Sequence, residues 1–162
     1  MSSGGPLEAA SLAATSWRMT NAQHIVCPSC GTINRLPGDR SPAPAHCGSC
    51  KAALFSGEPT AVDTAGFDRH TAKNDIPVVV DIWAPWCGPC RSMAPEFAKA
   101  ARLLEPDVRF LKVNADEQPA VSGRYNVRSI PTMLLFKNGV LTAQTAGAMG
   151  SQDIARWIRA NI

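Results

Sequence analysis

The apolar run PVVVDIWA at residues 77–84 constrains the fold most, because a nearly continuous β-branched segment is typical of a strand buried on both faces. The segment RSMAPEFAKAARLLE follows it, and its large apolar residues recur at intervals of three and four, which predicts an amphipathic helix. Pro95 lies inside this helix and should kink it, since its ring excludes one backbone hydrogen bond. A buried strand followed closely by a helix predicts an α/β fold.

The rest of the chain after residue 57 continues this alternation. PTAV predicts a short edge strand, GFDRHTAKND a short helix, VRFLKVN a second strand, and Pro119 opens another short helix. Asn138-Gly139 joins TMLLFK to VLTAQTA as a hairpin, and a last amphipathic helix starts at Ser151. The predicted order is β-α-β-α-β-α-β-β-α, which gives a mixed central sheet with helices on both faces.

Two Cys-x-x-Cys pairs precede this region at the spacing of a zinc site. CPSC and CGSC are separated by sixteen residues, inside the window of about 15–20 for four-cysteine sites. Few large apolar residues lie between them, so a bound metal would supply the folding energy that is missing. Two disulfides or free thiols are the alternatives, and His24 and His46 are possible substitute ligands. We predict one Zn²⁺ held in a zinc-ribbon-like module by Cys27, Cys30, Cys47 and Cys50.

Composition favours a reducing compartment. Six cysteines in 162 residues are too few for a disulfide-stapled secreted scaffold, which has roughly 8–10% cysteine. The formal charge of +3 demands no polyanionic partner, and no apolar run approaches the roughly 20 residues of a membrane helix. Residues 1–22 are mostly small and polar, without the pattern of a secretory signal, and we interpret them as a disordered tail. We therefore expect a cytoplasmic protein that binds neither membrane nor nucleic acid.

The third pair, Cys87 and Cys90 in WCGPC, lies where the buried strand gives way to the helix. A helix N-terminus favours a thiolate, which makes Cys87 the nucleophile. Cys90 lies one helical turn further on and can attack the Cys87 sulfur of a mixed disulfide, as the resolving thiol. Gly88 permits close approach of a substrate chain, and Pro89 stiffens the turn without adding charge, which favours a reductant over an oxidase. The alternatives are a third metal half-site or an inert structural disulfide.

Asp81 stands in the middle of the apolar strand, six residues before Cys87. Burying a lone carboxylate is costly, so this group should either neutralise or find a partner, and Lys112 on the neighbouring strand is the candidate. In one interpretation Asp81 is the proton acceptor that activates Cys90, with a pKa raised by desolvation. In the other it is a strand-end residue that faces water.

Three motifs resemble the thioredoxin family: WAPWCGPCR, SIPT at 129–132 and FKNG at 136–139. The match covers residues 60–162, and with the cysteine-rich segment in front the chain resembles the zinc-binding bacterial thioredoxins of the thioredoxin 2 type. The resemblance implies a thioredoxin fold and a protein disulfide reductase with a redox-active Cys87–Cys90 disulfide. It also implies that a flavoprotein thioredoxin reductase supplies the electrons. Ile82 and Ser129 depart from the commonest thioredoxin pattern.

The resemblance further implies a substrate groove beside Cys87. Most Xaa-Pro bonds are trans, yet the resemblance implies a cis bond at Ile130–Pro131 that exposes the Ile130 backbone to substrate. Trp86 would border the groove together with Gly147 and Ala148, the alternative being simple packing.

We therefore divide the chain into a disordered tail (1–22), a four-cysteine zinc module (23–56) and a thioredoxin domain (57–162). The expected protein is a monomeric thioredoxin-type reductase of disulfide-containing proteins, in which the zinc module is structural or senses oxidation. The alternative is a zinc-ribbon module that binds a partner protein or senses oxidation and carries the redox domain with it. Nucleic-acid binding is disfavoured, because the module has few basic residues and one aromatic residue.

Overall fold

The computed structural model describes residues 22–38 and 45–162, so the tail predicted for residues 1–22 lies outside the described residues except for its last position. The strands are β1 (Gln23–Val26), β2 (Ile33–Leu36), β3 (Thr60–Ala61), β4 (Val78–Trp83), β5 (Arg109–Asn114), β6 (Thr132–Lys137) and β7 (Val140–Ala146). The helices are α1 (Thr64–Lys73), α2 (Gly88–Leu104), α3 (Pro119–Arg124) and α4 (Ser151–Ala160). No helix in these ranges is long and apolar enough to cross a membrane.

A five-stranded sheet with the order β3-β5-β4-β6-β7 forms the centre of the larger part of the chain. β3 and β4 both run parallel to β5, whereas β6 is antiparallel to β4 and β7 to β6. This confirms the predicted element order and the mixed sheet. β4 occupies the middle of the sheet and is buried from Val78 to Ile82, as its apolar sequence predicts.

Apolar side chains cover both faces of the sheet, so helices pack on each side. On one face Phe97 of α2 and Ile154 of α4 pack with Phe110 of β5. On the other face Phe67 of α1 and Val121 of α3 pack with strand residues. The alternation along β4 divides its side chains between these two clusters, because successive residues of a strand point to opposite faces.

Helix α2 begins at Gly88, three residues earlier than the apolar periodicity alone predicts. Cys87 is its N-cap, and Pro89 stands in its first turn, where a missing backbone N–H has no cost. Pro95 lies inside the helix, as predicted from the sequence. The early start places the cysteine pair at the helix N-terminus, just beyond the carboxyl end of β4.

The cysteine-rich segment contains an antiparallel hairpin of β1 and β2 that was not predicted. A β-bridge between His46 and Ala53 organises its second half. Its small buried cluster contains Ile25, Leu54 and Phe55, and it is completed by Ile76 from the loop before β4. The segment therefore shares a core with the larger domain, which offsets its own shortage of apolar residues.

Candidate functional site

Cys87 and Cys90 form a disulfide, with their Cα atoms 5.3 Å apart. The Cys87 sulfur accepts the backbone N–H of Cys90 at 3.3 Å, as an N-cap group does. Because the first turn of a helix has unpaired N–H groups and a partial positive charge, negative charge on the Cys87 sulfur is favoured. Cys87 is 5% exposed and Cys90 is 2% exposed, so both cysteines are buried and Cys87 is the more accessible of the two.

The peptide bond between Ile130 and Pro131 is cis, the geometry that the resemblance implied. The carbonyl oxygen of Ile130 lies 3.7 Å from the Cys87 sulfur. Gly147 donates its N–H to the Pro131 carbonyl at 2.9 Å, and its φ of 105° is one that other residues rarely adopt. The fold thus brings these three backbone segments together around the reactive sulfur.

An open groove of about 600 Å³ lies beside Cys87. Four predicted residues line it: Trp86, Gly88, Pro89 and Ile130. The remaining lining comes from the end of β5, α3 and the loop before β6, and it was not predicted: Ala115, Pro119, Ser122, Val127, Arg128 and Ser129. Apart from Ser129, which begins the SIPT motif, these residues carry no motif of their own; the packing of α3 next to the cysteine turn brings them to the groove.

Trp86 is 67% exposed, so it forms a wall of the groove and does not belong to the core. Its indole Nε1 donates a hydrogen bond to the Asp116 carboxylate at 2.8 Å, which fixes the orientation of the ring. Ala148 lies in a separate depression of about 300 Å³, which Met93 and Glu96 also line. The substrate role predicted for Ala148 and the neighbouring Gly147 stays a prediction.

Asp81 is fully buried, so the alternative in which it faces water is wrong. Neither of its carboxylate oxygens has a hydrogen-bond partner among the residues that the structure describes. Burial raises the pKa of Asp81 to about 7, and the charge of Lys112 opposes this shift only in part. Lys112 stands directly opposite Asp81 on β5, but its ammonium lies 4.5 Å from the centre of the Trp83 ring. The candidate partner is thus a neighbouring charge without a hydrogen bond to the carboxylate.

The four remaining cysteines form a compact cluster, with all their sulfur atoms within 4.8 Å of one another. The closest sulfur pairs are Cys27–Cys50 and Cys30–Cys47, each at 3.6 Å. A tetrahedral metal with bonds of about 2.3 Å to sulfur needs sulfur–sulfur distances of roughly 3.8 Å, and the cluster fits this. None of the four forms a disulfide. The geometry therefore favours a metal centre over the alternative of two disulfides.

Backbone amides contribute to this cluster as well. The N–H groups of Ser29 and Ser49 each approach a sulfur at 3.4 Å, that of Cys27 and that of Cys47 respectively. The Cys50 N–H and the Asn34 side chain lower the pKa of Cys47 to about 6, which favours the thiolate that a metal binds.

The two histidines near this cluster have other contacts. His24 Nδ1 lies 2.9 Å from the Asp75 carboxylate. His46 pairs through its backbone with Ala53. In the part of the chain that the structure describes, the group of possible metal ligands at this place contains the four cysteines alone.

Comparisons with known proteins match both parts of the chain. The thioredoxin family model matches residues 58–160, and the model described as thioredoxin 2, N-terminal, matches residues 26–52. Thioredoxin C-3 of Corynebacterium nephridii is 39% identical over 134 residues, which is 83% of this chain and 92% of that protein. This alignment is longer than residues 58–160, so it includes part of the cysteine-rich segment.

Other relatives cover a smaller share of the chain. Thioredoxin of Rickettsia bellii is 41% identical over 101 residues, 62% of this chain and 96% of that protein. Among solved structures, a mutant thioredoxin from Halobacterium salinarum superimposes with a TM-score of 0.60 at 30% identity, covering 66% of this chain and 93% of its own. The thioredoxin of Malassezia sympodialis gives the same values.

We predict that Asp81→Asn stabilises the protein at pH 8 by up to about 4 kcal/mol, since each unit of pKa shift corresponds to about 1.4 kcal/mol. The folded pKa of about 7 lies above the ordinary value of 3.8, so the folded state binds more protons between these pH values. Wild-type stability therefore falls as pH rises from about 4 to 7, and the advantage of the variant grows over this range.

Urea unfolding of both proteins between pH 4 and pH 8 measures this difference. Asp153→Asn is the matched control: this exposed aspartate pairs with Arg156 in the first turn of α4, so its replacement should destabilise by at most about 1 kcal/mol and should not stabilise the protein as pH rises. A stability difference between Asp81→Asn and wild type that does not change with pH would contradict the raised pKa.

Proposed function

This chain belongs to the thioredoxin family and is a thiol-disulfide oxidoreductase, and from this premise we propose that Cys87 and Cys90 reduce disulfides in protein substrates. The observation that carries the proposal is the position of Cys87. Its sulfur caps α2, accepts the Cys90 N–H and lies 3.7 Å from the Ile130 carbonyl at the edge of an open groove. A sulfur placed there can be stabilised as a thiolate and be reached by an extended substrate.

The reaction takes place in two exchanges. In the dithiol form, the Cys87 thiolate attacks one sulfur of the substrate disulfide, which forms a mixed disulfide and releases the other substrate sulfur as a thiolate. The Cys90 thiolate then attacks the Cys87 sulfur, which forms the Cys87–Cys90 disulfide and releases the second substrate thiolate. The two electrons lost by the protein dithiol are gained by the substrate disulfide, and the two protons end on the substrate thiols.

Asp81 is the proton acceptor in the second exchange. Cys90 is almost fully buried, so water alone is a poor route for its proton. A carboxylate with a pKa of about 7 matches this task, because it can both take a proton near neutral pH and return it. Lys112 acts on Asp81 through its charge, and it limits how far burial raises the pKa.

Substrate backbone lies against the cis turn at Ile130–Pro131, and substrate side chains occupy the groove. Trp86 provides an exposed aromatic wall, Gly88 leaves room for the approaching chain, and Pro89 keeps the turn rigid. Gly147 is bonded to the same turn through its N–H to the Pro131 carbonyl, and Ala148, the next residue, continues the proposed substrate contact. These contacts favour extended protein segments over small disulfides as substrates.

The Gly-Pro pair between the cysteines supports a reductant that is recharged by a flavoprotein thioredoxin reductase. It adds no charge that would stabilise the Cys87 thiolate further and make the disulfide strongly oxidising. This direction of electron flow requires a reducing compartment, so the proposed location is the cytoplasm, and the proposed working form is a monomer.

Cys27, Cys30, Cys47 and Cys50 hold one Zn²⁺. The sulfur–sulfur distances and the amides directed at the sulfurs support this assignment. The metal supplies folding energy to residues 23–56, and the dithiol chemistry belongs to the domain of residues 57–162. Exposed Cys30 and Cys50 also leave the cluster open to peroxide, so an oxidation-sensing role combines with the structural one.

We predict that Cys87→Ser abolishes disulfide reduction, whereas Cys90→Ser accumulates a mixed disulfide between Cys87 and the substrate, since no thiol is left to resolve it. Non-reducing electrophoresis after incubation with a disulfide-containing protein measures the adduct. The double variant Cys87→Ser/Cys90→Ser is the control and should trap nothing. If Cys90→Ser turns over like wild type, the two roles are assigned wrongly.

Asp81→Asn should slow resolution of the mixed disulfide about 10²-fold, near the lower end of general-base effects, because a slower route through water remains. Single-turnover reduction followed by tryptophan fluorescence measures this step. In wild type the rate should rise with pH through about 7 as Asp81 ionises, and the variant should lose this rise. Unchanged kinetics in the variant would show that Asp81 is structural only.

Metal analysis of the full chain should give about one zinc per molecule. Cys47→Ser should lower the zinc content by at least about tenfold, because a tetrahedral site loses one of its four ligands. Cys90→Ser is the matched control and should keep its zinc, since Cys90 lies outside the cluster. Wild-type protein without zinc, or zinc lost equally from both variants, would refute the assignment.

A further inference from the structure

Arg109, the first residue of β5, is a buried cation between the sheet and the cysteine-rich segment. Its side chain is 1% exposed. Its Nη2 donates to two backbone carbonyls, that of Leu54 at 2.8 Å and that of Val26 at 3.2 Å. The guanidinium also lies 4.5 Å from the centre of the Phe55 ring, while the Glu105 carboxylate is 3.8 Å away, too far for a hydrogen bond.

The two carbonyls belong to two separate stretches of the chain. The first arm (residues 23–36) carries Cys27 and Cys30, and the second arm (residues 45–55) carries Cys47 and Cys50. Val26 directly precedes Cys27 in the first arm. Leu54 donates its own N–H to the Ala45 carbonyl at 3.0 Å, two positions before Cys47 of the second arm. One guanidinium nitrogen therefore joins both arms of the cluster.

Asn34, inside the cysteine-rich segment, also links them, through the Thr32 carbonyl on one side and Cys47 Sγ and the Gly48 N–H on the other. Among the described residues 57–162, Arg109 is the one side chain that hydrogen-bonds to both arms.

Asn74 holds the other side of the first arm. Its Oδ1 accepts the Val26 N–H at 2.8 Å, so the domain contacts both the N–H and the carbonyl of Val26. Burial lowers the pKa of His70 to about 3, so its Nδ1 accepts a hydrogen bond from Asn74 Nδ2 at 2.9 Å and fixes the amide orientation. Asp75 adds a bond at 2.7 Å from the His24 N–H. The peptide units before Cys27 are thus fixed by residues outside the module.

We propose that Arg109 is a positioning residue of the metal centre: it fixes the separation of the two ligand arms and thereby slows metal release, although it binds no metal itself. The proposal rests on the zinc site proposed above. Removing the guanidinium leaves two buried carbonyls without a donor, and the arms separate to reach water. Groups that orient metal ligands in this indirect way typically change metal affinity by 10–100-fold when they are lost.

The test is the rate of zinc transfer from the full chain to a chromogenic chelator under native conditions. Arg109→Met keeps the apolar stem and removes the donors, so we expect release at least about tenfold faster than in wild type. Arg102→Met is the matched control: Arg102 is an exposed arginine whose partner is Glu58, and its loss should change the rate less than about twofold.

Two further variants keep the test decisive if Arg109→Met does not fold. Arg109→Lys keeps the charge, but its point-like ammonium replaces the planar donor fork, so it should also accelerate release. Val121 of α3 belongs to an apolar cluster of the sheet that contains neither Arg109 nor the cysteine-rich segment. Val121→Ala weakens this cluster and should leave the release rate unchanged, which separates positioning from general destabilisation.

Folded Arg109→Lys that releases zinc at the wild-type rate would overturn the proposal, as would equal acceleration in Val121→Ala. Failure of the zinc assignment itself looks different, because wild-type protein would then hold no zinc to release.

Discussion

The burial of β4 in the middle of the sheet is the constraint on which the rest of the structure depends. Its backbone pairs with β5 on one side and β6 on the other, so both ends of the strand are fixed in space. The chain leaves its carboxyl end and enters α2 within a few residues, which places Cys87 at a helix N-terminus. The antiparallel pairing of β6 brings the cis turn at Ile130–Pro131 to the same edge. The reactive sulfur and the proposed substrate-binding backbone therefore lie together because α2 follows β4 in the chain and β6 pairs with β4.

Arg109 and Asp81 are both buried ionisable residues, but their hydrogen-bond surroundings differ. Arg109 donates to two carbonyl oxygens, lies over an aromatic ring and has the Glu105 carboxylate 3.8 Å away. Burial lowers its pKa only to about 10, so it stays charged near neutral pH and its effect is structural. Asp81 has no hydrogen-bond partner within the described residues, so burial raises its pKa to about 7. A buried charge that keeps hydrogen-bond partners stabilises one arrangement, whereas a buried carboxylate without partners can exchange a proton near neutral pH. The stability that Asp81 costs is consistent with its proposed role in catalysis.

The cysteine-rich segment is joined to the sheet domain more closely than a flexible appendage would be. Ile76 completes its apolar cluster, and Arg109 and Asn74 satisfy its backbone groups. A short segment with few apolar residues can fold in this way because its missing core and hydrogen bonds come from a neighbour. The proposed metal binding would therefore be coupled in free energy to the packing of the two parts.

Local sequence determined the elements and the chemistry. The β-branched run at residues 77–84, the apolar periodicity of α2 and the Asn138-Gly139 turn each specify their structure through neighbours in the chain, and the fold follows their order. The spacing of the cysteines likewise predicted the four-cysteine cluster and the redox pair.

Tertiary structure alone decided the contacts between distant residues. Examples are the groove wall formed by residues between Pro119 and Arg128, the position of the Lys112 ammonium over the Trp83 ring, and the hydrogen bonds of Arg109 to both arms of the cysteine cluster. None of these has a local signal, because each depends on which surfaces pack together after the elements have formed. The local sequence around an arginine at the start of a strand is the same whether its side chain faces water or two buried carbonyls. Only the packing of the cysteine-rich segment against Arg109 distinguishes these two environments.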